Sequence, residues 1–399
     1  MSEFIGKELF ALLIAFAGSA CIAWYAIPII IKVASIRNLT DAPGPRKIHK
    51  KDIPTLGGIG IYGGFAVGFL LAIDGNMEGV SYFTVATLIL FFIGLKDDLI
   101  TLDPRKRLIG ELIAIVIMIY FTDIRLTSFH GFMGINSIPV WLTYVTTIFI
   151  MVVIINSMNL IDGIDGLAAA TGIIASVTFG IWFWLSGDFG YVIMAAALTG
   201  VLTTFLMFNI SKGKNKIFMG DTGSLVIGFI LAVMTIRFNE INNGMNIFYN
   251  LKSSPAVSIG ILIVPLFDTL RVFTIRILHG LNPFKADNRH IHHIMLRAGY
   301  SHRMATFYLS VAHIFIIALA FLLDPIGIIW LSLVLLLACT ILTGLVYALV
   351  YKNYTRGNII LNSEESEAIH KMSYFQRAIK KRNLAHGRRH VSPGTNSQL

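Results

Sequence analysis

Four groups of ionisable side chains interrupt a chain that is otherwise strongly apolar. They are the pair Asp97-Asp98, the turn that holds Asp162 and Asp165, the single Asp221, and the stretch His290-Ile291-His292-His293. Placing a carboxylate at membrane depth costs free energy, and such residues usually mark a functional site. Several of them at one water interface indicate a metal and phosphate site. The sequence therefore favours an enzyme that works on charged groups at the membrane surface.

Three of these groups carry the carboxylates. Asp97 and Asp98 are neighbours at the end of an apolar stretch, and two adjacent carboxylates do not both ionise cheaply without a cation. Asp221 opens another apolar stretch, where it can ligate a metal while exposed helix N-terminal amides hold phosphate oxygens. The simpler alternatives are a solvated helix end for the pair and an N-cap for Asp221.

The most specific stretch is Asn156-Ser-Met-Asn159-Leu-Ile-Asp162-Gly163-Ile-Asp165-Gly166-Leu167. Asp162 and Asp165 are three residues apart, so one helical turn would place them on one face. The two glycines permit close approach of a ligand, and Asn156 and Asn159 add amide donors and acceptors. No basic residue lies within the stretch to neutralise the acids. The alternative is an ordinary turn between two spans.

Cationic and imidazole side chains occupy two further loops. Near His290, His292 and His293, Arg289 adds a cation, and together they suit a diphosphate or a sugar. Zinc is disfavoured because no cysteine joins the histidines and the zincin pattern is absent. The other loop, with Arg46, Lys47 and His49, can attract a polyanion. The alternative is that its positive charges serve only to orient the chain in the membrane.

The elements that must position these residues are membrane helices. The chain has 399 residues, of which 55% are hydrophobic and only 14% are charged, and its mean hydropathy is +0.73. We predict an all-α polytopic membrane protein with about eleven spans. They lie near 9–34, 57–74, 80–95, 108–122, 141–157, 167–186, 190–209, 223–238, 255–280, 304–323 and 325–351. Residues 1–351 form the transmembrane domain, and 352–399 form a basic, partly disordered cytoplasmic tail.

Lysines and arginines set the orientation. They concentrate in alternate loops, at 35–56, 96–107, 210–222 and 281–303, whereas the opposite loops hold only Arg125 and Lys252. The positive-inside rule then places the N-terminus outside and the C-terminus inside. All four ionisable groups face the cytoplasm. The net charge of +10 follows this loop pattern, and no nucleic-acid-binding signature appears, which argues against nucleic acid as a partner.

Together the motifs resemble the polyprenyl-phosphate N-acetylhexosamine-1-phosphate transferase family. The resemblance rests on the loop with Arg46-Lys47-x-His49 and Pro-Thr-Leu-Gly-Gly, on Asp97-Asp98, on Asn159-Leu-Ile-Asp162-Gly-Ile-Asp165-Gly-Leu, on Met219-Gly-Asp221-Thr-Gly-Ser, and on His-x-His-His. It implies transfer of a sugar 1-phosphate from a UDP-N-acetylhexosamine to a polyprenyl phosphate, usually undecaprenyl phosphate, with release of UMP. It also implies a bacterial inner-membrane enzyme that requires Mg²⁺ or Mn²⁺.

The resemblance also implies roles for individual residues. Asp221 and Asp98 would bind the metal, and the catalytic residues would be Asp97, Asp98, Asp162 and Asp165. The substrate-binding residues would be Arg46, Lys47, His49, Asn156, Asn159, Arg289, His290, His292 and His293. Direct attack by the lipid phosphate and a covalent aspartyl intermediate both stay open. We favour direct attack because a phosphate monoester is already a competent nucleophile.

Ile291 distinguishes two branches of the family. The phospho-MurNAc-pentapeptide transferase of peptidoglycan synthesis has three consecutive histidines, whereas Ile291 interrupts that run here. The chain therefore looks more like the UDP-GlcNAc branch, which initiates a lipid-linked envelope glycan. The peptidoglycan enzyme remains the alternative, and a cation- or proton-coupled transporter is the rival from a different class. Membrane lipids are expected partners, and a homodimer is left open.

Overall fold

The structure is a computed structural model that describes residues 2–41, 53–75, 77–135, 137–243, 250–282 and 289–355. These residues form thirteen α-helices, one two-stranded antiparallel hairpin and one short 3₁₀ turn at Asp324–Ile326. The strands are β1 (Thr40–Asp41) and β2 (Ile53–Pro54). The helices are α1 (Ser2–Ile36), α2 (Gly57–Ala72), α3 (Val80–Leu99), α4 (Pro104–Thr122), α5 (Val140–Ile161), α6 (Leu167–Ser186), α7 (Phe189–Asn209), α8 (Gly220–Ile241), α9 (Ser254–Ile261), α10 (Ile263–Leu278), α11 (Ile291–Arg297), α12 (His302–Leu322) and α13 (Ile328–Thr355).

Each of the eleven predicted spans coincides with a helix or a helix pair. Within the described residues, eight helices are long and apolar enough to cross a membrane: α1, α3, α5, α6, α7, α8, α12 and α13. The pair α9 and α10 could form a ninth span, but it is bent by 87°. The all-α polytopic prediction is thus confirmed. The number eleven stays a prediction, because α2 is a shorter apolar helix of 16 residues and α4 begins with three cations.

Helix α8 lies at the centre of the bundle. Of its membrane-spanning stretch, 89% is buried, against 22% for α1 and 17% for α13. A helix that is apolar on all sides belongs in the interior, whereas α1 and α13 expose apolar side chains as lipid-facing helices do. The central helix packs against α2, α3, α5, α6 and α9. Its first turn, which contains Asp221, is therefore surrounded by other helix ends.

Glycines let α2 and α3 approach this first turn at backbone distance. A Cβ atom at Gly58 would lie 2.3 Å from the backbone nitrogen of Gly223, and one at Gly94 would lie 2.4 Å from the Cα of Thr222. Gly60 and Gly64 let α2 pack closely on α1: a Cβ atom at Gly60 would lie 2.7 Å from a side-chain carbon of Ile27, and one at Gly64 would lie 2.8 Å from the carbonyl oxygen of Ser19. These contacts bring the end of α3, with Asp97 and Asp98, onto the start of α8.

The hairpin and the last described helix complete the fold. Phe218, just before α8, donates its backbone N–H to the carbonyl oxygen of Pro54 at 2.8 Å and accepts from the N–H of Gly57 at 3.0 Å. The hairpin therefore lies at the same end of the bundle as Asp221. Helix α13 continues past the predicted domain boundary at residue 351 as far as Thr355. The rest of the predicted tail lies outside the described residues, as do Arg46, Lys47 and His49.

Candidate active site

A cavity of about 840 Å³ opens at the end of the bundle where α3, α5 and α7 finish and α6, α8 and α12 begin. All five predicted aspartates line it, namely Asp97, Asp98, Asp162, Asp165 and Asp221, and Asn159 and His293 line it as well. Its volume lies in the range of small-molecule sites. The structure thus brings three of the four predicted groups fully into one pocket, together with part of the fourth.

Asp98 caps the central helix. One carboxylate oxygen accepts the backbone N–H of Asp221 at 2.7 Å, and the other accepts the N–H and the hydroxyl of Thr222 at 3.0 and 2.5 Å. Gly220 makes this approach possible, because its φ of +73° suits glycine and a Cβ atom there would lie 2.6 Å from the carboxylate. The N-terminal amides of α8 therefore already occupy both oxygens of Asp98. Oδ1 of Asp98 accepts only one of these hydrogen bonds and keeps a lone pair for a further ligand.

Asp97 lies on the other side of the same helix end. One of its oxygens accepts the backbone N–H of Leu102 at 2.7 Å, which closes the turn between α3 and α4. Its second oxygen lies 3.8 Å from a guanidinium nitrogen of Arg107. Asp97 therefore combines a structural contact with one carboxylate oxygen directed toward a cation.

Asp221 accepts hydrogen bonds from an amide and from a guanidinium group. Its Oδ1 accepts from Asn159 Nδ2 at 2.5 Å and from Arg107 Nη1 at 3.1 Å. Asn159 also donates to the hydroxyl of Ser224 at 2.8 Å, one turn further along α8. The side chain of Asp221 remains 33% exposed. A carboxylate oriented in this way and still open to the pocket can accept a further ligand.

Asp162 and Asp165 face very different surroundings. Asp165 accepts from Lys216 Nζ at 2.5 Å and lies 3.2 Å from His302 Nδ1. Burial alone would raise the pKa of Asp165, but hydrogen bonds and charge from these two partners lower it below the ordinary aspartate value. No described residue donates a hydrogen bond to the carboxylate of Asp162. Burial, followed by repulsion from the neighbouring aspartates, raises the pKa of Asp162 well above its ordinary value.

The three histidines do not share one environment. His290 is buried and pairs through Nδ1 with Asp268 Oδ2 at 2.9 Å. His292 is fully buried with both ring nitrogens unpartnered, and a Cβ atom on Gly163 would lie 2.2 Å from its Nε2. Only His293 lines the pocket. Burial, followed by nearby positive charge, lowers the pKa of His293 to about 4, so its imidazole is neutral near pH 7.

Two further predicted substrate residues, Asn156 and Arg289, do not line the pocket. The amide of Asn156 instead donates to the buried carboxylate of Glu111 at 2.7 Å. The carbonyl oxygen of Arg289 accepts from Arg271 at 2.5 Å. Within the described residues, no group of three or more histidine, cysteine or acidic side chains forms a ready-made metal site.

Sequence reasoning missed several side chains that line this pocket or lie beside it. Arg107 and Glu111 were not identified as functional residues, and neither were Lys216 and His302, which neutralise Asp165. Arg107 and Glu111 are four residues apart at the start of α4, a spacing that favours an ion pair on one helix face and could have drawn attention to them. Lys216 and His302 are distant from Asp165 along the chain, and no local pattern connects them.

Known proteins resemble this chain over most of its length. Glycosyl transferase family 4 matches residues 80–239, which hold all five aspartates. The probable undecaprenyl-phosphate N-acetylglucosaminyl 1-phosphate transferase of Bacillus subtilis (strain 168) is 31% identical over 336 residues, or 82% of this chain and 89% of that protein. The undecaprenyl-phosphate alpha-N-acetylglucosaminyl 1-phosphate transferase of Escherichia coli (strain K12) is 29% identical over 325 residues, 78% of this chain and 84% of that one. The chain therefore belongs to the polyprenyl-phosphate N-acetylhexosamine-1-phosphate transferases of glycosyl transferase family 4.

Proposed function

We propose that this protein transfers N-acetylglucosamine 1-phosphate from UDP-N-acetylglucosamine to undecaprenyl phosphate and releases UMP. The product would initiate a lipid-linked cell-envelope glycan. The observation that carries the proposal is the convergence of Asp97, Asp98, Asp162, Asp165 and Asp221 on one cavity at one end of a membrane bundle. The relatives named above are undecaprenyl-phosphate N-acetylglucosaminyl 1-phosphate transferases, and they support this acceptor and this sugar.

The pocket residues fit a bound Mg²⁺ or Mn²⁺. Asp162 has an unpaired carboxylate, and Asp221 keeps an accessible one, while repulsion among the aspartates favours an added cation. Mg²⁺ is usually held by one or two carboxylates together with substrate phosphates and water, so a preformed three-ligand set is not needed. Asp162 and Asp221 would hold the ion, with Asp98 keeping the start of α8 in place. The ion would neutralise charge on the diphosphate.

The chain's own residues would position the reactants. An oxygen of the lipid phosphate attacks the sugar-bearing phosphorus of the donor, and the bond between that phosphorus and the bridging oxygen breaks as UMP leaves. Phosphoryl transfer needs mainly alignment and charge neutralisation. Lys212 and Arg303 at the pocket wall supply positive charge for phosphate groups. His293, neutral near pH 7, can donate one hydrogen bond and accept another from phosphate or sugar.

Direct attack and a covalent aspartyl intermediate differ in what the carboxylates must do. In direct attack, Asp97 or Asp98 orients or deprotonates the lipid phosphate, whereas a covalent route needs a carboxylate free to attack phosphorus. We favour direct attack, because a phosphate monoester is already a competent nucleophile. Incubation with sugar-labelled donor and no acceptor tests this choice. A labelled protein that forms and decays at the turnover rate would overturn direct attack.

We also propose eleven spans, an outward N-terminus, an inward C-terminus and a pocket that opens to the cytoplasm of a bacterial inner membrane. The pocket end of the described chain carries Lys212, Lys216 and Arg303, which agrees with the positive-inside rule. The same placement disfavours a transporter, whose substrate site is expected near the bilayer midplane. The homodimer and the binding of the basic tail to membrane lipids remain parts of this proposal.

The experiment is label transfer by the purified full-length protein. UDP-GlcNAc labelled in the sugar should yield an organic-soluble lipid and one UMP per label, provided that undecaprenyl phosphate and Mg²⁺ are present. Asp221→Asn should reduce the rate at least about 100-fold. Asp123→Asn, an exposed carboxylate at the opposite end, serves as the matched control. Transfer from UDP-MurNAc-pentapeptide but not from UDP-GlcNAc would replace the proposal with the peptidoglycan alternative. No transfer from either donor would reject it.

A further inference from the structure

Arg107 lies between carboxylates from three different helices. Its Nη1 is 3.1 Å from Asp221 on α8 and 3.8 Å from Asp97 on α3. Its Nε donates to Glu111, one turn further along α4, at 3.1 Å. One guanidinium therefore bridges the two acidic helix ends of the pocket. Its position beside Asp221 is where a cation would relieve the repulsion between the aspartates.

Glu111 keeps this guanidinium from moving away. The side chain of Glu111 is 1% exposed, and its second oxygen accepts from Asn156 at 2.7 Å. If Arg107 left, Glu111 would be a buried carboxylate without its cation, which is unfavourable. The Nε end of Arg107 is thus fixed by Glu111, while the Nη end faces the accessible Asp221. Rotation about this fixed end would let Arg107 exchange Asp221 for another anion.

We infer that Arg107 is the tethered counter-ion of Asp221: it competes with a divalent cation in the empty pocket and turns to the diphosphate when the donor binds. The inference rests on the proposed function, which supplies its two ligands, the divalent cation and UDP-GlcNAc. Before the donor arrives, the guanidinium neutralises Asp221 and lowers the affinity for a free cation. The donor's diphosphate then offers Arg107 a second anion and releases Asp221. Glu111 is a positioning residue, because it acts through Arg107.

This arrangement predicts effects of opposite sign for the two ligands. Arg107→Gln removes the competing charge, and the glutamine amide can still donate to Glu111. Binding of Mn²⁺ alone should become about threefold to tenfold tighter. Binding of UDP-GlcNAc without divalent cation should become roughly tenfold weaker, because a charge-assisted contact to the diphosphate is lost. A residue that merely supported the fold would not strengthen one ligand while weakening the other.

The test is electron paramagnetic resonance of Mn²⁺ titrated into the full-length protein in detergent, with calorimetric titration of UDP-GlcNAc in chelator. Arg105→Gln is the matched control. It removes the same charge two residues away, from an exposed side chain on the same helix. The inference holds if Arg107→Gln tightens Mn²⁺ binding relative to Arg105→Gln and weakens donor binding. Equal affinities in the two variants, weaker binding of both ligands, or no Mn²⁺ binding by the native protein would overturn it.

A second variant keeps the test decisive if Arg107→Gln does not fold. In Glu111→Gln the side-chain carbonyl oxygen can still accept from Arg107 Nε and hold the guanidinium beside Asp221, but the carboxylate charge is gone. The charge of Arg107 then opposes a cation more strongly, so Mn²⁺ binding should weaken about threefold or more. Tighter or unchanged Mn²⁺ binding in a folded Glu111→Gln protein would contradict the inference. These binding measurements require no sugar transfer. A failure of Arg107 to compete is therefore distinguishable from a failure of the proposed reaction, which UMP release measures separately.

Discussion

The two ends of the helix bundle use their carboxylates for different purposes. At the end opposite the pocket, Asp188 pairs with Arg237 at 2.6 Å. Asp324, nearly buried, accepts the backbone N–H groups of Lys252 and Ser253 at 3.0 and 2.7 Å. At the pocket end, Asp162 receives no hydrogen bond from any described residue. The first set of acids holds loops in place, whereas the pocket contains a carboxyl group that no described residue pairs with.

The same contrast exists within a single loop. Asp165 is neutralised by Lys216 and His302, and its backbone carbonyl oxygen also accepts from Thr306 at 2.8 Å. These contacts join the start of α6 to the start of α12. Asp162, three residues earlier, makes none of them. A short stretch of sequence therefore contains one carboxylate paired with basic side chains and one that accepts no hydrogen bond from a described residue.

The largest expected effect comes from replacing the unpaired member of this loop. Asp162→Asn keeps the shape of the side chain but removes a carboxylate that we propose as a ligand of the divalent cation. The rate of label transfer should fall by about 10²–10³-fold, the scale found when one electrostatic group is lost from an active site. The melting temperature in detergent should stay unchanged or rise, because the variant removes repulsion from the neighbouring aspartates.

Asp165→Asn is the matched comparison for this prediction. It should lower the melting temperature, since Lys216 and His302 lose their common partner. The sign also follows from linkage, because a depressed carboxyl pKa contributes stability above the unfolded pKa and loses it as the pH falls. The contrast would be wrong if Asp162→Asn had a lower melting temperature than Asp165→Asn and kept most of its transfer activity.

Much of the helical framework could be predicted from the sequence. Each long apolar run became a helix because a chain in lipid must satisfy its own backbone hydrogen bonds. The break between α9 and α10 was not predicted, since hydropathy reads 255–280 as one continuous stretch. Pro265, in the first turn of α10, was the available signal. His313 donates to the freed carbonyl of Ile261 at 2.8 Å, and this contact depends on the tertiary fold.

The residues of the site could be predicted better than the ion pairs between them. Asp, Asn, Gly and His in loops at one end of the bundle marked the pocket, because the alternation of spans brings those loops together. Which acid is neutralised was not evident: Lys216 reaches Asp165 across 51 positions, and Arg107 reaches Asp221 across 114. The short helix α11 was predicted as a loop, and its packing buries His292.

The next effect in size tests the opposite end. Asp324→Ala leaves the N–H groups of Lys252 and Ser253 without their acceptor where α9 begins, so the free energy of unfolding should fall by about 1–3 kcal/mol. Transfer per folded molecule should stay unchanged because Asp324 is at the far end from the pocket. Thermal unfolding in detergent and label transfer at a permissive temperature measure the two quantities. A large loss of transfer by fully folded protein would show that the two ends are not separate in function.

One imidazole is buried beside the pocket and another is partly buried at the opposite end, which allows a comparison by pH. By the pocket, burial lowers the pKa of His292 to about 3. At the opposite end, burial also lowers the pKa of His130. The unfolded chain binds a proton near pH 6.5 that folded His292 does not, so this contribution to stability is present above pH 6.5 and is lost as the pH falls. Between pH 7 and pH 5.5 the loss should be about 1 kcal/mol.

Two variants assign that pH dependence to one end of the bundle. His292→Asn should flatten the fall in melting temperature between pH 7 and pH 5.5. His130→Asn should flatten it less, and asparagine tolerates the positive φ of 52° at that position. Only the slopes are compared, so a uniform loss of stability in either variant does not affect the conclusion. An unchanged slope in His292→Asn would mean that its imidazole titrates in the folded protein as it does in the unfolded chain.

The smallest effect is expected at the exposed ion pair between Asp123 and Arg125, at the end opposite the pocket. The side chain of Asp123 is 73% exposed, so water and salt screen its attraction to the guanidinium, and asparagine fits its left-handed backbone. Asp123→Asn should change the free energy of unfolding by less than about 1 kcal/mol. The difference in the free energy of unfolding should shrink further at high salt, because salt shortens the screening length and weakens the attraction between exposed charges. A salt-independent loss as large as that of Asp324→Ala would mean that this pair, like Asp324, anchors its loop, and the opposite end would then depend on its surface charges as well as on its buried caps.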